Sequence, residues 1–141
     1  MSEIKDNKKS EEPWLRNILD DVKKKRVAVV GSRNYNNHAE IFKYLNSKID
    51  KIGHLVSGGC PSGADNIAQI FAKERGLSIT IHYPDWSTGK SAGFARNRKI
   101  VEDCQVLIAF TTGSKGTQNS IDLATKLGKK VIIHKVEADK E

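Results

Sequence analysis

The residues best suited to chemistry lie in three glycine-rich stretches of the chain. These are Gly31–Arg33 (GSR), Ser57–Asp65 (SGGCPSGAD) and Thr111–Thr117 (TTGSKGT). Glycine lets the backbone approach a ligand closely, and the first N–H groups of a helix have no partner inside that helix. Because the stretches follow short apolar runs and the last two open helical patterns, they predict binding of a phosphate-bearing ligand.

Each stretch supplies groups suited to an anion and a sugar. Gly31 permits a tight turn, while Ser32 and Arg33 add a hydroxyl and a guanidinium fork that suits phosphate. Asp65 is predicted to bind a ribose hydroxyl or to act as a base, and with Ser62 it also has the spacing of a capping box. The other predicted ligand-binding residues of the second and third stretches are Gly58, Gly59, Gly63, Thr112, Gly113, Ser114, Lys115, Gly116 and Thr117.

A segment between the second and third stretches adds cations and aromatic rings. Arg96 and Arg98 are two residues apart, so either one faces the ligand and the other solvent, or both lie at an irregular helix start. Asn97 is a candidate contact for a base edge or a ribose. Trp86 or Tyr83 is predicted to stack on a base.

The segment Thr88–Ser91 contains the Gly-Lys-Ser of a P-loop. The first glycine of that motif would fall at Pro84, which has no N–H to donate, and no acidic residue ends a neighbouring strand to hold magnesium. A full GxGxxG fingerprint is also missing from the first stretch. The sequence therefore indicates neither an NTPase nor an ordinary dinucleotide-binding motif.

The elements that must position these residues alternate between strand and helix. Continuous apolar runs predict buried strands, and patterns ending in glycine predict helices between them. The predicted strands are Val27–Val30, His54–Ser57, Ser78–Tyr83, Val106–Phe110 and Lys130–Val136. The predicted helices are residues 37–52, ended by Gly53, and Ala64–Arg75, Phe94–Asp103 and Ser120–Leu127.

This alternation predicts an α/β fold, a Rossmann-like doubly wound sheet of about five mainly parallel strands with helices on both faces. Ligands of such sheets lie at the carboxyl ends of the strands, where the strand order reverses. In a 3-2-1-4-5 order that point lies between the first and fourth strands. The glycine-rich stretches are therefore expected to meet there.

The length of 141 residues suits one domain. We expect residues 1–12 to be a disordered polar tail, residues 13–26 a helix, residues 27–136 the nucleotide-binding domain and residues 137–141 a second tail. In the N-terminal helix, apolar residues recur at helical spacing, and Trp14 leads them. That helix is expected to pack on the core or to contact a second subunit.

Composition limits the classes of function. The net charge of +7 is consistent with nucleic-acid binding, but most basic residues are spread along helices, so this partner is not favoured. Cys60 and Cys104 make neither a disulfide framework nor a zinc site, and the histidines lack metal-ligand pairing, so neither a metal nor a required cofactor is expected. The chain has no signal-peptide core and no membrane-length apolar run, which predicts a cytoplasmic protein without a membrane partner.

Taken together, the motifs resemble the YspA/cpYpsA-related SLOG family. The resemblance rests on GSR after the first strand, SGGCPSGAD, PDWSTGKSAGFARNR, and AFTTGSKGT followed by IDLATKLGKKVII, and it covers about residues 26–136 in order. It implies a Rossmann-like fold and a nucleotide-derived ligand. The same superfamily includes DprA/Smf DNA-processing proteins and the LOG phosphoribohydrolases, which cleave the N-glycosidic bond of a nucleoside monophosphate.

The likeness to LOG enzymes suggests catalytic residues. Their arginine-lysine step matches Arg98-Lys99, and their glycine-threonine helix start matches Gly116-Thr117. Their catalytic glutamate, however, falls at Ser120 in this chain. Glycoside cleavage needs a carboxylate, and the aspartates that would have to supply it are Asp65, Asp85 and Asp122. Asp65 and Arg98 are the predicted catalytic residues.

Three functions follow from the sequence. The leading one is binding of a nucleotide or nucleotide-derived small molecule, as sensor or carrier, by a monomer or a homodimer. The second is an N-glycosidase that acts on nucleoside 5′-monophosphates. The third is a DprA-like accessory protein that binds single-stranded DNA through its basic surface.

Overall fold

A single parallel sheet organises the computed structural model, which describes residues 24–139. The strands are β1 Lys25–Gly31, β2 Ile52–Ser57, β3 Ile79–Ile81, β4 Val106–Thr111 and β5 Lys130–Lys135. The helices are α1 His38–Ser47, α2 Gly63–Arg75, α3 Ala92–Glu102 and α4 Lys115–Lys126, with short 3₁₀ turns at Ile49–Lys51 and Trp86–Thr88. All strand pairs are parallel, in the order β3-β2-β1-β4-β5. The predicted Rossmann-like α/β fold and its strand order are confirmed.

Two apolar layers hold the helices against the sheet. On one face, α1 and α2 pack Ile41, Leu45 and Phe71 onto residues of β1 and β4. On the other face, α3 and α4 pack residues that include Ile100 and Ile121. β1 and β4 contribute to both layers, because successive residues of a strand point to opposite faces. This burial on both faces explains why their sequences are continuous apolar runs.

β1 lies at the point where the strand order reverses. It pairs with β2 on one side and with β4 on the other. Beyond the strands, the loop after β1 stays beside β4, because the Ser32 N–H donates to the Phe110 carbonyl at 3.1 Å. Gly31 is required here for packing, since a Cβ on it would lie 2.7 Å from Ala64 Cβ of α2 and 2.8 Å from the Phe110 carbonyl oxygen.

Several predicted boundaries are wrong. Gly53 does not end the first helix: α1 ends at Ser47, a 3₁₀ turn follows, and Gly53 lies inside β2. The last helix begins at Lys115 rather than Ser120, because the stretch Gly113–Thr117 opens it directly. β3 spans only Ile79–Ile81. The second helix, in contrast, ends as predicted at Gly76, which has a φ of 67°.

The N-terminal predictions lie mostly outside the described residues. The predicted polar tail does so entirely, and so does all of the predicted helix except its last three residues. Of these, Lys25 and Arg26 belong to β1, so the strand begins before the predicted boundary. Among residues 24–139, no helix is both long and apolar enough to cross a membrane.

Candidate functional site

A cavity of about 440 Å³ opens at the carboxyl edge of the sheet, at the point where the strand order reverses. The loops after β1, β2 and β4 and the helices α3 and α4 all contribute to it, so the predicted convergence of the three glycine-rich stretches is observed. Its lining residues are Val30, Gly31, Ser32, Arg33, Asn34, Cys60, Asp65, Arg96, Asn97, Ile100, Ser114, Gly116, Thr117 and Ser120.

Hydroxyl groups connect two of the loops at one wall of the cavity. Ser32 is only 2% exposed, and its Oγ accepts from the Thr112 N–H at 3.0 Å. The same oxygen lies 2.8 Å from Ser114 Oγ, which donates to Thr117 Oγ1 at 3.0 Å. The turn Thr111–Thr117 therefore carries several hydroxyl groups, and Ser32 of the Gly31–Arg33 stretch fixes its position.

The N-terminus of α4 faces the same wall. Its first internal hydrogen bond runs from the Gln118 N–H to the Ser114 carbonyl. The N–H groups of Lys115, Gly116 and Thr117 therefore have no partner within the helix, and they carry the positive end of its dipole. Together with the neighbouring hydroxyls, these amides form an environment suited to a phosphate.

Arg96 is the cation that the fold holds in place. Its Nη1 donates to the Gly58 carbonyl of the turn after β2, and its Nε donates to Asn97 Oδ1 at 3.0 Å. Two residues further along α3, Arg98 is more than half exposed and pairs with Glu102 at 3.3 Å. It does not line the cavity, so only one of the two predicted arginines faces the site.

Asn97 connects α3 to α4. It is buried, and its Nδ2 donates to the Gly116 carbonyl and to Asn119 Oδ1, both at 3.2 Å. Its Oδ1 is occupied by Arg96. The predicted base or ribose contact would have to compete with these bonds, which hold Arg96 against the first turn of α4.

The turn after β2 surrounds a buried carboxylate. Asp65 is 7% exposed, and its Oδ2 accepts from the Cys60 N–H at 3.2 Å. The Ser62 side chain makes no cap hydrogen bond, so the capping-box interpretation of Ser62 and Asp65 is wrong. Gly58 leaves room for this arrangement, because a Cβ there would lie 2.9 Å from Asp65 Oδ2 and 2.7 Å from Arg96 Nη1.

Burial raises the pKa of Asp65 to about 6, although the Cys60 N–H, Arg96 and Arg33 each lower it. Burial dominates because the carboxylate loses its contact with water while Arg33 itself remains exposed. The Asp65 carboxyl group consequently changes charge just below neutral pH, inside a cavity that is otherwise cationic.

We expect Asp65→Asn to raise the free energy of unfolding by about 3 kcal/mol at pH 8. The native-state pKa of about 6 exceeds the ordinary value of 3.8, so ionisation costs native stability only as the pH rises between these values. The gain should therefore be absent near pH 4 and complete above pH 7. Urea unfolding of both proteins across this range measures it, and a gain independent of pH would contradict the burial argument.

Several predicted site residues lie elsewhere. Gly58, Gly59, Ser62 and Trp86 line an adjoining cavity rather than this one. Gly63 packs against the Ser32 backbone. Lys115, Thr112 and Gly113 line neither cavity, although they belong to the loop that does. Lys90 of the Gly-Lys-Ser segment is also absent from both linings.

Hydrogen bonds to Asp139, which the sequence did not predict, hold the loop after β1 in place. The Asn36 N–H donates to Asp139 Oδ2 at 2.9 Å and the Asp139 N–H donates to the Asn34 carbonyl at 2.7 Å. The side-chain Oδ1 of Asn36 also accepts from the Gly63 N–H at 2.6 Å. Asp139 falls in the predicted C-terminal tail, and only the run of asparagines after GSR gave a signal for turn-forming contacts here.

Comparison with known proteins finds a family match for part of this site. Residues 25–89 match the model of the YspA, cpYpsA-related SLOG family. The match includes the first two glycine-rich stretches, with Ser32, Arg33 and Asp65, and it confirms the family that the motifs predicted. No curated protein matches the chain at a significant level.

Proposed function

We propose, from the membership of residues 25–89 in the YspA, cpYpsA-related SLOG family, that this protein binds a nucleotide or a nucleotide-derived small molecule. One observation carries the proposal. The loops after β1, β2 and β4 meet in a cavity of about 440 Å³ at the switch point of the sheet, where Rossmann-like folds bind such ligands. The function is that of a sensor or a carrier.

The groups around this cavity support a phosphate at one end. The Ser32, Ser114 and Thr117 hydroxyls lie beside the free N–H groups at the start of α4. Arg33 and Arg96 add two guanidinium groups. A phosphate bound here would accept hydrogen bonds from backbone, hydroxyl and guanidinium donors at once, which is the combination that phosphate sites use.

The two cysteines offer a direct test. Cys60 is partly exposed and lines the cavity, whereas Cys104 is buried on the opposite side of the sheet from α1 and α2. We expect saturating 5′-AMP to slow alkylation of Cys60 by iodoacetamide about tenfold or more, because the bound ligand covers the thiol. Mass spectrometry of the labelled full chain gives the rate, and calorimetry gives the dissociation constant.

The control is Cys60→Ser, which should lose nearly all labelling because only the buried Cys104 thiol remains. A panel of AMP, ADP and GMP that neither binds nor protects Cys60 would overturn the proposal. A nucleotide at 100 times its dissociation constant should also stabilise the native protein by about 2.7 kcal/mol.

Asp65 favours a second candidate function, hydrolysis of the N-glycosidic bond of a nucleoside monophosphate. Its carboxyl group lines the cavity, and a pKa of about 6 suits a general acid or base near neutral pH. The position of the LOG glutamate is occupied by Ser120, which lines the same cavity. Incubation with AMP and assay for free adenine separates the two functions, since a sensor binds without release of base and Asp65→Asn would abolish any release.

A further inference from the structure

A second cavity, of about 530 Å³, adjoins the first at the carboxyl ends of β2 and β3. The turn Gly58–Ser62 forms its floor, and Tyr83, Pro84 and Trp86 form its outer wall. Arg33, Cys60 and Arg96 line both cavities, so the two spaces meet at a pair of guanidinium groups. A ligand that occupies the first cavity can therefore extend into the second without leaving the protein surface.

The wall of the second cavity carries two of the most exposed aromatic side chains in residues 24–139. Tyr83 is 67% exposed and Trp86 is 56% exposed. Glycine backbone supports both rings from behind: a Cβ on Gly59, which has a φ of 75°, would collide with the Tyr83 ring, and a Cβ on Gly93 would lie 3.4 Å from the Trp86 ring. Each ring is thus supported on one side and largely open to solvent on the other.

The two cavities differ in chemistry in a way that matches the two ends of a nucleotide. The first offers hydroxyls, helix N–H groups and a carboxylate, which suit a phosphate and a sugar. The second offers aromatic and proline surfaces, which suit a planar heterocycle. The remaining exposed aromatic of this region, Phe94, lines neither cavity, so the aromatic surface at Tyr83 and Trp86 belongs to the cavity and not to a general apolar patch.

We propose that the second cavity is a nucleobase subsite, in which the base stacks on Trp86 and Tyr83 while the phosphate lies in the first cavity. This inference rests on the proposed function, because it assigns the base end of the same ligand. Stacking of a base on an aromatic side chain tolerates different bases, since each has a π face. The subsite therefore recognises the presence of a base more than its identity.

The test compares 5′-AMP with ribose 5-phosphate, which has the same sugar and phosphate but no base. We expect AMP to bind at least tenfold more tightly to the full chain. Trp86→Ala should weaken AMP binding about tenfold and leave ribose 5-phosphate binding unchanged, and Tyr83→Ala should act in the same direction. Since both side chains are more than half exposed, these variants should fold normally.

Phe94→Ala is the matched control, because it removes an exposed aromatic ring that lies outside both cavities; it should change neither affinity. In a Trp14→Phe background, Trp86 is the only tryptophan, and AMP should quench its fluorescence while ribose 5-phosphate does not. Equal affinities for the two ligands, or an equal loss of both with Trp86→Ala, would overturn the base subsite and leave the phosphate site standing. If neither ligand binds, the proposed function itself fails.

Discussion

Arg96→Ala is expected to weaken the binding of 5′-AMP about 100-fold. The Arg96 guanidinium lines both cavities, and the Gly58 carbonyl and Asn97 fix its orientation before a ligand arrives. Loss of a charge held in this way removes charge-assisted hydrogen bonds to the ligand and also removes a cation that stabilises the Asp65 carboxylate. Calorimetric titration of the full chain measures the effect.

Arg98→Ala is the control, because it removes the same charge from the same helix. Arg98 lies outside both cavities and pairs with Glu102 near solvent, so we expect affinity to change by no more than about twofold. Arg96→Lys should recover only part of the loss, since a lysine keeps the charge but not the fork. Equal losses for the two alanine variants would mean that net charge, and not position, drives binding.

Gly63→Ala is expected to lower the free energy of unfolding by about 4 kcal/mol. Gly63 has a φ of 73°, and a Cβ there would lie 2.8 Å from the Ser32 carbonyl oxygen and 3.2 Å from Arg33 Cα. The left-handed conformation costs an alanine about 1–2 kcal/mol, and overpacking against backbone adds about 1–3 kcal/mol. Urea unfolding measures the change.

Gly76→Ala separates these two costs. Gly76 has a similar φ of 67°, but no atom lies within 4 Å of a Cβ built there. Gly76→Ala should therefore lower the free energy of unfolding by only about 1–2 kcal/mol, which is the cost of the left-handed conformation. The additional destabilisation of Gly63→Ala measures the close contact between α2 and the loop after β1. Equal destabilisation of the two variants would show that this contact does not contribute to stability.

The fold was predictable because its signals are local. Runs such as Val27–Val30 and Val106–Phe110 are too apolar for a half-exposed strand, and glycine at position 76 ends a helix in the expected way. Gly53 misled the prediction because a glycine can also lie at a strand position where another chain segment passes closely. Here a Cβ on Gly53 would lie 3.0 Å from Lys24 Cβ.

The sequence predicted which loops form the site, but it did not predict which of their side chains face the cavity. Residue types and the reversal of strand order indicate which loops converge. They do not indicate the phase of a helix such as α3, so Arg96 and Arg98 could not be told apart before their directions were known. The burial of Asp65 depends on how the turn Gly58–Ser62 folds over it, and the contacts of Asp139 join residues far apart in the chain. Such long-range contacts leave no periodic signal in a single sequence.

The hydrogen bonds between Asp139 and the loop after β1 join a late part of the chain to an early one. During translation, β1 and its loop emerge long before residue 139 does, so the loop with Ser32 and Arg33 must wait for its final contacts. A ribosome-bound chain that has not yet exposed residue 139 therefore cannot form the hydrogen bonds between Asp139 and the loop after β1. The arrangement of Ser32 and Arg33 at the cavity is therefore completed only after residue 139 has left the ribosome.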